Sequence, residues 1–172
     1  MSEFDLIVRA GTVFDGTGSE SFTADIGVKD GEIREIGRIN AKTYQEVDAD
    51  GAIVTPGFVD IHTHYDGQAT WSNRMSPSSH HGVTTAVMGN CGVGFAPVRM
   101  EDHDLLIELM EGVEDIPGVA LHEGLSWDWE SFEDYMDFLS DREFDMDIGA
   151  QLPHAAMRVY VCLLYTSDAA DE

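Results

Sequence analysis

The sequence predicts an α/β protein: a β-rich N-terminal piece, residues 1–51, then the opening βα units of a parallel sheet, residues 52–161. Three observations carry this expectation. Short apolar runs separated by Gly and Asp turns fill the N-terminal piece. Two stronger β-branched runs, AIVTPGFVDIHTH and VTTAVMGNCG, follow it, and stretches of helical periodicity come after them. Strands alternating with helices imply βαβ units and a parallel sheet. A complete (β/α)₈ barrel takes about 250 residues, so if this sheet opens such a barrel the chain holds only about three units of a truncated one.

Each element has a local reason. Leu6, Ile7 and Val8 lead into Ala10-Gly11, and Val13 and Phe14 lead into an Asp15-Gly16 turn. Ala24 to Lys29 and Glu32 to Ile36 flank Asp30-Gly31, a two-residue hairpin signal because both central positions take positive φ. Ile26, Val28, Ile33 and Ile36 supply the apolar positions. The region reads as part of a small antiparallel sheet, too short to bury two faces alone and so in need of strands from elsewhere. Beyond Ala52, Pro56-Gly57 should bend or begin the next strand. Ser76-Pro77 resembles an N-cap followed by Pro at the first helical position, with Gly82 closing the helix. Leu105, Leu106, Leu109 and Met110 recur at helical spacing. Ser131 with Asp134 makes a capping-box-like start to a helix carrying Phe132, Tyr135, Met136 and Leu139 on one face. Asp147 to Leu152 reads as a third strand.

Composition narrows the function classes. Thirty-three Asp and Glu against 9 Lys and Arg give a net charge of −24. Nucleic-acid phosphate and anionic membrane surfaces are poor partners for such a chain, because binding them takes clustered cations. Hydrophobic residues make up 43% of the sequence, enough for a packed core. No apolar run approaches the roughly 20 residues of a membrane span, and MSEFDLIVRAG lacks the features of a secretory signal. A soluble cytoplasmic protein acting on a small molecule is expected, with the oligomeric state open. Residues 162–172, CLLYTSDAADE, back-translate in one frame to what looks like a transposase sequencing adaptor, and are set aside from fold reasoning. Without them Cys91 is the only thiol, and losing Asp168, Asp171 and Glu172 takes the charge from −24 to −21. The natural chain is then expected to continue beyond Val161.

The chemistry gathers at two strand ends. His62 and His64 are two apart, so strand alternation puts both imidazoles, with Asp60, on one face. Two neutral imidazoles at the C-terminal end of a parallel strand suit a borderline-soft divalent ion such as Zn²⁺. An isolated His-x-His is more often a pair of surface histidines. Cys91 ends the next strand, where alternation would align it with Thr85, Val87 and Gly89. A thiolate there could bind the same ion, or bridge two, whereas a lone cysteine is commonly just a buried apolar residue.

TPGFVDIHTHYDGQ, GVTTAVMGNCGVGFAPV and LMEGVEDIPG resemble the N-acyl-D-amino-acid deacylase (D-aminoacylase) branch of the amidohydrolase superfamily, and the resemblance extends from Asp5 to Val161. It implies a small β-sandwich built from both chain ends and a (β/α)₈ barrel carrying one or two zinc ions. On this resemblance His62, His64 and Cys91 are metal ligands, while the remaining histidine ligands and the catalytic aspartate lie on later strands. Zinc-dependent hydrolysis of a linear carbon–nitrogen amide bond, in an N-acyl-D-amino acid, is the implied activity. A hydantoinase-like cyclic-amide hydrolase and a non-catalytic metal-binding scaffold are the alternatives. Tyr65-Asp66-Gly67-Gln68 and MEGVEDIPG resemble a less characterised branch, which leaves the acyl group and amino acid open. Asp66, Asn90 and His154 are candidates to face substrate or support a ligand; Asp66 could orient a histidine through its other ring nitrogen or equally cap the following loop, and His154 reads nearly as well as a loop histidine. His80 and His81 sit beside Gly82, where only one could point inward, and His103 and His122 are expected in solvent. Trp127 and Trp129 read as packing, and Glu108 to Asp115 as a solvated helix end.

Overall fold

The computed structural model describes residues 3–114 and 116–162, and the chain divides after Pro56 into two compact units. In the first unit, β1 (Leu6–Val13), β2 (Phe22–Lys29), β3 (Glu32–Gly37), β4 (Gln45–Asp48) and β5 (Ile53–Val54) form one sheet. Its order is β3-β2-β1-β4, with β5 also paired to β1. The Asp30-Gly31 hairpin is there: φ is 53° at Asp30 and 76° at Gly31, and Lys29 pairs with Glu32.

Two expectations about this sheet need correction. The runs at Leu6 and Val13 are one strand, not two, bulged between Val8 and Gly11 where Ala10 takes φ 52°. The sheet is also mixed, not antiparallel, because β4 and β5 both run parallel to β1. The cause is the crossover after β3, which carries the chain past β1 so that it returns in β1's own direction. Arg9 holds that crossover, donating to Ile39 O and Ala41 O, each at 2.6 Å, and pairing with Asp25 at 3.2 Å and Glu46 at 2.9 Å. Ala24, Ile26 and Val28 share one face of β2, packing with Val13 and Val54, while Phe4 and Ile39 cover Gly27 on the other.

The second unit is an α/β arrangement on a parallel sheet. It runs β6 (Phe58–Asp60), α1 (Gln68–Trp71), a 3₁₀ turn at Ser78–His81, β7 (Val83–Met88) and a second turn at Asn90–Gly92. α2 (His103–Glu114), α3 (Gly118–Gly124), α4 (Phe132–Ser140), β8 (Asp147–Ala150) and α5 (His154–Cys162) complete it. The strands pair in sequence order, all parallel, with Val59 beside Thr85 and Met88 beside Ala150. No barrel closure is present among the described residues: β6 and β8 are both edges. Met75, Phe95, Leu106, Met110, Leu121 and Tyr135 form the centre of the core.

The run AIVTPGFVDIHTH is therefore split between the units. Ile53 and Val54 pair with β1, and Phe58 to Asp60 with β7. Pro56 lacks the N–H that a continuous ladder would use. Pro77, not Ser76, occupies the cap of the 3₁₀ turn, and Gly82 closes it at φ 86°. Leu106, Ile107 and Met110 face inward from α2, whereas Leu109 is 41% exposed. The capping box is formed: Ser131 Oγ accepts from the Asp134 N–H at 3.0 Å and Asp134 Oδ2 accepts from the Ser131 N–H at 2.9 Å. No helix among the described residues is long and apolar enough to cross a membrane. Of the segment set aside on sequence grounds, Cys162 ends α5, and residues 163–172 lie outside the described residues.

Asp25 is the polar hub of the first unit. Its carboxylate accepts from the Ala10 N–H at 2.9 Å, the Ile39 N–H at 3.2 Å and Arg9 at 3.2 Å. The Ala10 N–H first, then the Ile39 N–H and Arg9, hold the Asp25 carboxyl below its ordinary value of 3.8. A depressed folded-state pKa stabilises the fold above the unfolded value, and that contribution is lost as pH falls through the folded one. Asp25→Ala in the full-length protein should destabilise by about 1–3 kcal/mol, because it strands backbone donors. Asp25→Asn should remove part of the acid-side loss of stability, below about pH 4. Denaturant titrations across the acid range check both, and identical acid limbs for Asp25→Asn and the parent would contradict the assignment.

Candidate metal centre

β6 ends at Asp60, so His62 and His64 lie just past the strand and not on it. Asp60 Oδ1 accepts from the His62 N–H at 3.1 Å, which turns the chain as it leaves the sheet. Thr63 reattaches it: its N–H and its hydroxyl both donate to Val87 O, at 3.0 and 2.9 Å. Thr63 is buried, and the two imidazoles leave on either side of it.

Cys91 reaches the same place by a different route from the expected one. β7 stops at Met88, and Gly89 (φ 81°), Cys91 (φ 55°) and Gly92 (φ 76°) all adopt left-handed backbone. Strand alternation therefore does not aim the thiol; the 3₁₀ turn does. Glycine is required at position 89, where a Cβ would lie 2.2 Å from Gln151 O. Cys91 has no such dispensation, and a left-handed residue with a Cβ costs roughly 1–2 kcal/mol.

The donor atoms of His62, His64 and Cys91 all lie within 4.8 Å of one another. His62 Nε2 is 3.2 Å from Cys91 Sγ, and the two imidazole rings are 5.6 Å apart at 56°. His64 Nδ1 is buried with no hydrogen-bond partner, whereas His62 and Cys91 are exposed, so the cluster opens to solvent on one side. The donor set fits a divalent ion. With Zn–N near 2.0–2.1 Å and Zn–S near 2.3 Å, tetrahedral coordination sets donors about 3.4–3.6 Å apart; His62 Nε2 and Cys91 Sγ stand close to that separation, and the widest pair closes on an ion by a shift of roughly 1 Å.

The other sequence candidates divide. Asp66 is 2% exposed, beneath the loop after β7, where a Cβ on Gly94 would lie 3.1 Å from its Oδ1. Burial pushes its carboxyl up to about 7, against the Gly89 N–H, which favours the charged form. Its Oδ2 and His64 Nδ1 are both buried without hydrogen-bond partners, so no bond joins these two atoms. Asn90 spends its amide inside the chain, donating to Val87 O at 2.8 Å and Thr63 O at 3.3 Å and accepting from Gln151 Nε2 at 3.0 Å. His154 is exposed at the start of α5, and a Cβ on Gly92 would lie 3.4 Å from its own. It borders the cysteine turn without joining the three donors.

His80 and His81 precede β7 and are exposed at its opposite end. His103 stacks on Trp127 at 4.0 Å and 8° instead of standing in solvent, and burial lowers its pKa. His122 is exposed, with Nδ1 3.8 Å from Asp104. Trp129 is buried and donates to Phe95 O at 2.8 Å, a packing role. Thr63 and Gln151 are not singled out by the sequence, since Thr63 works through backbone carbonyls and Gln151 through a side-chain bond to Asn90, a residue distant in sequence, and no local pattern announces either.

A model of the amidohydrolase family matches residues 45–172. The D-aminoacylase of Alcaligenes xylosoxydans xylosoxydans is 33% identical over 170 residues, 98% of this chain and 33% of that protein. A solved D-aminoacylase structure, described as defining a novel subset of amidohydrolases, superposes with a TM-score of 0.73 at 32% identity over 92% of this chain and 31% of that one. The N-acyl-D-glutamate deacylase of Bordetella bronchiseptica, solved with zinc and a phosphonate inhibitor, gives 0.68 at 30% identity over 91% of this chain and 31% of that one. The chain thus spans about a third of the length of these relatives. Matched by the family model over most of its length and by a D-aminoacylase over nearly all of it, the chain belongs to the amidohydrolase family.

Proposed function

We propose that this chain is part of a zinc-dependent amidohydrolase that cleaves the linear amide of N-acyl-D-amino acids to a carboxylate and a D-amino acid. The observation that carries the reading is the convergence of His62, His64 and Cys91 within 4.8 Å at the ends of two parallel strands. Two imidazoles and a thiolate are a donor set that suits zinc. The relatives support the substrate class: two are a D-aminoacylase and an N-acyl-D-glutamate deacylase. In this reading the β6-β7-β8 sheet supplies the first three strands of a (β/α)₈ barrel, whose chemistry gathers at the C-terminal strand ends. The mixed sheet is one part of a small β-sandwich.

Bound here, zinc would supply Lewis-acid polarisation of the amide carbonyl and acidify the attacking water. The chain's own part is to hold the ion. His64 approaches from the buried side, while His62 and Cys91 border the open side from which a small amide can enter. The general acid that protonates the leaving amine is an aspartate in the portion of the relatives' length that this chain does not span. A cytoplasmic setting suits such a small-molecule enzyme.

In the full-length protein His62→Ala, His64→Ala and Cys91→Ala should each lower bound zinc. Turnover of N-acyl-D-methionine should fall by more than the roughly 100-fold that loss of an outer-shell partner can cost. Cys91→Ser should fail too, since a neutral hydroxyl replaces a thiolate poorly. Metal analysis and initial rates decide; full activity with unchanged zinc in Cys91→Ala would reject the thiolate assignment.

The 172-residue chain by itself should show no turnover and bind zinc weakly, because three donors and an open sheet do not make a closed site. Metal-dependent hydrolysis of an N-acyl-D-amino acid by a soluble monomer of this chain would overturn that expectation.

A further inference from the structure

We propose that Asn90 is a positioning residue that sets the separation between Cys91 and the His62–His64 pair; the inference rests on the metal reading above. The geometry centres on one carbonyl. Val87 O accepts three donors: the Thr63 N–H at 3.0 Å, the Thr63 hydroxyl at 2.9 Å and Asn90 Nδ2 at 2.8 Å. Thr63 sits between the two histidines and Asn90 precedes the cysteine, so both ligand-bearing segments are measured from the same atom.

The rest of the Asn90 amide completes the tie. Nδ2 also donates to Thr63 O at 3.3 Å, and Oδ1 accepts from Gln151 Nε2 at 3.0 Å. Gln151 is itself anchored, its N–H donating to Met88 O at 2.9 Å. One side chain therefore joins the C-terminal ends of β6, β7 and β8. Only a primary amide fits this set, because it must donate to two carbonyls and accept from an amide nitrogen. A carboxylate of the same shape would face two carbonyl oxygens with no proton to give.

The turn has reason to need such a tie. Gly89 and Gly92 flank the cysteine with left-handed backbone and bring no side chain to brace it. Asn90 is half-buried with its polar atoms engaged within the chain, which fits a brace for the turn better than a contact with substrate.

The test replaces zinc with cobalt(II) in the full-length protein and follows the thiolate-to-cobalt charge-transfer band, cobalt affinity by chelator competition, and thermal melting. The parent should show a band that Cys91→Ala abolishes; a parent without one refutes the metal reading itself. With the band present, Asn90→Ala and Asn90→Asp should weaken cobalt binding by about 10–100-fold and shift or diminish the band. Gln151→Ala, which leaves both Asn90 donors in place, should produce a smaller loss in the same direction. Unchanged affinity and band in a folded Asn90→Asp protein would overturn the proposal, as would a raised KM with the band intact, which marks a substrate contact. Should neither Asn90 variant fold, Gln151→Ala and Thr63→Val decide, and an unaltered band and affinity in both would overturn it.

Discussion

Parallel pairing of β6, β7 and β8 is the constraint on which the site depends. Strands that run the same way finish at the same edge, so residues far apart in sequence emerge side by side just past it. His62 and His64 leave β6 there, Cys91 follows β7, and Gln151 follows β8. An antiparallel partner would have sent the cysteine to the opposite edge. The pairing also fixes what each exit segment can bond to, because the last carbonyls of β7 are left without a strand partner. Thr63, after β6, and Asn90, after β7 itself, take Val87 O instead, and Gln151, after β8, takes Met88 O.

How much of this was legible follows from the range of the forces involved. The Asp30-Gly31 hairpin and the Ser131–Asp134 capping box are local arrangements whose residues sit within three positions of each other, and both stand as read. That His62, His64 and Cys91 come together was also legible, from their places at two strand ends and from the family resemblance, since residue type alone leaves a surface histidine pair and a buried cysteine as readings. What failed depended on distant partners. The parallel entry of β4 and β5 beside β1 is decided by a crossover that Arg9 holds across about thirty residues. Strand alternation was the right rule applied too far: it ends with the ladder, and the ladder ends at Asp60 and Met88. The histidines and the cysteine meet all the same, through turns that alternation does not describe.

His103 shows the same limit from the side of packing. By type and neighbours it reads as a solvated residue among acids, at the start of an acidic helix. In the fold it lies flat against Trp127, a residue with positive φ in the segment between α3 and α4. Trp127 in turn meets Phe95 and Trp129, both buried, so the stack is an outlying layer of the main core. No periodicity within α2 could reveal a ring supplied from outside it.

The loop after β7 shows how chemistry and backbone constrain each other. To aim an exposed thiol at the histidines, the chain turns sharply between Met88 and Val93, and three of its residues are left-handed. At Gly89 and Gly94 the loop runs so close to Gln151, Pro153 and the buried Asp66 that added Cβ atoms would collide. Those glycines relieve the crowding, but Cys91 needs its side chain and must bear the left-handed cost of roughly 1–2 kcal/mol. Hydrogen bonds worth about 1 kcal/mol each can offset that only if several act on the same turn. Asn90 supplies three of them from the position next door. On the proposed metal reading, the run GNCGVG joins three separate demands: close passage for the glycines, a metal donor for the cysteine, and for the asparagine an amide that keeps the strained turn in place.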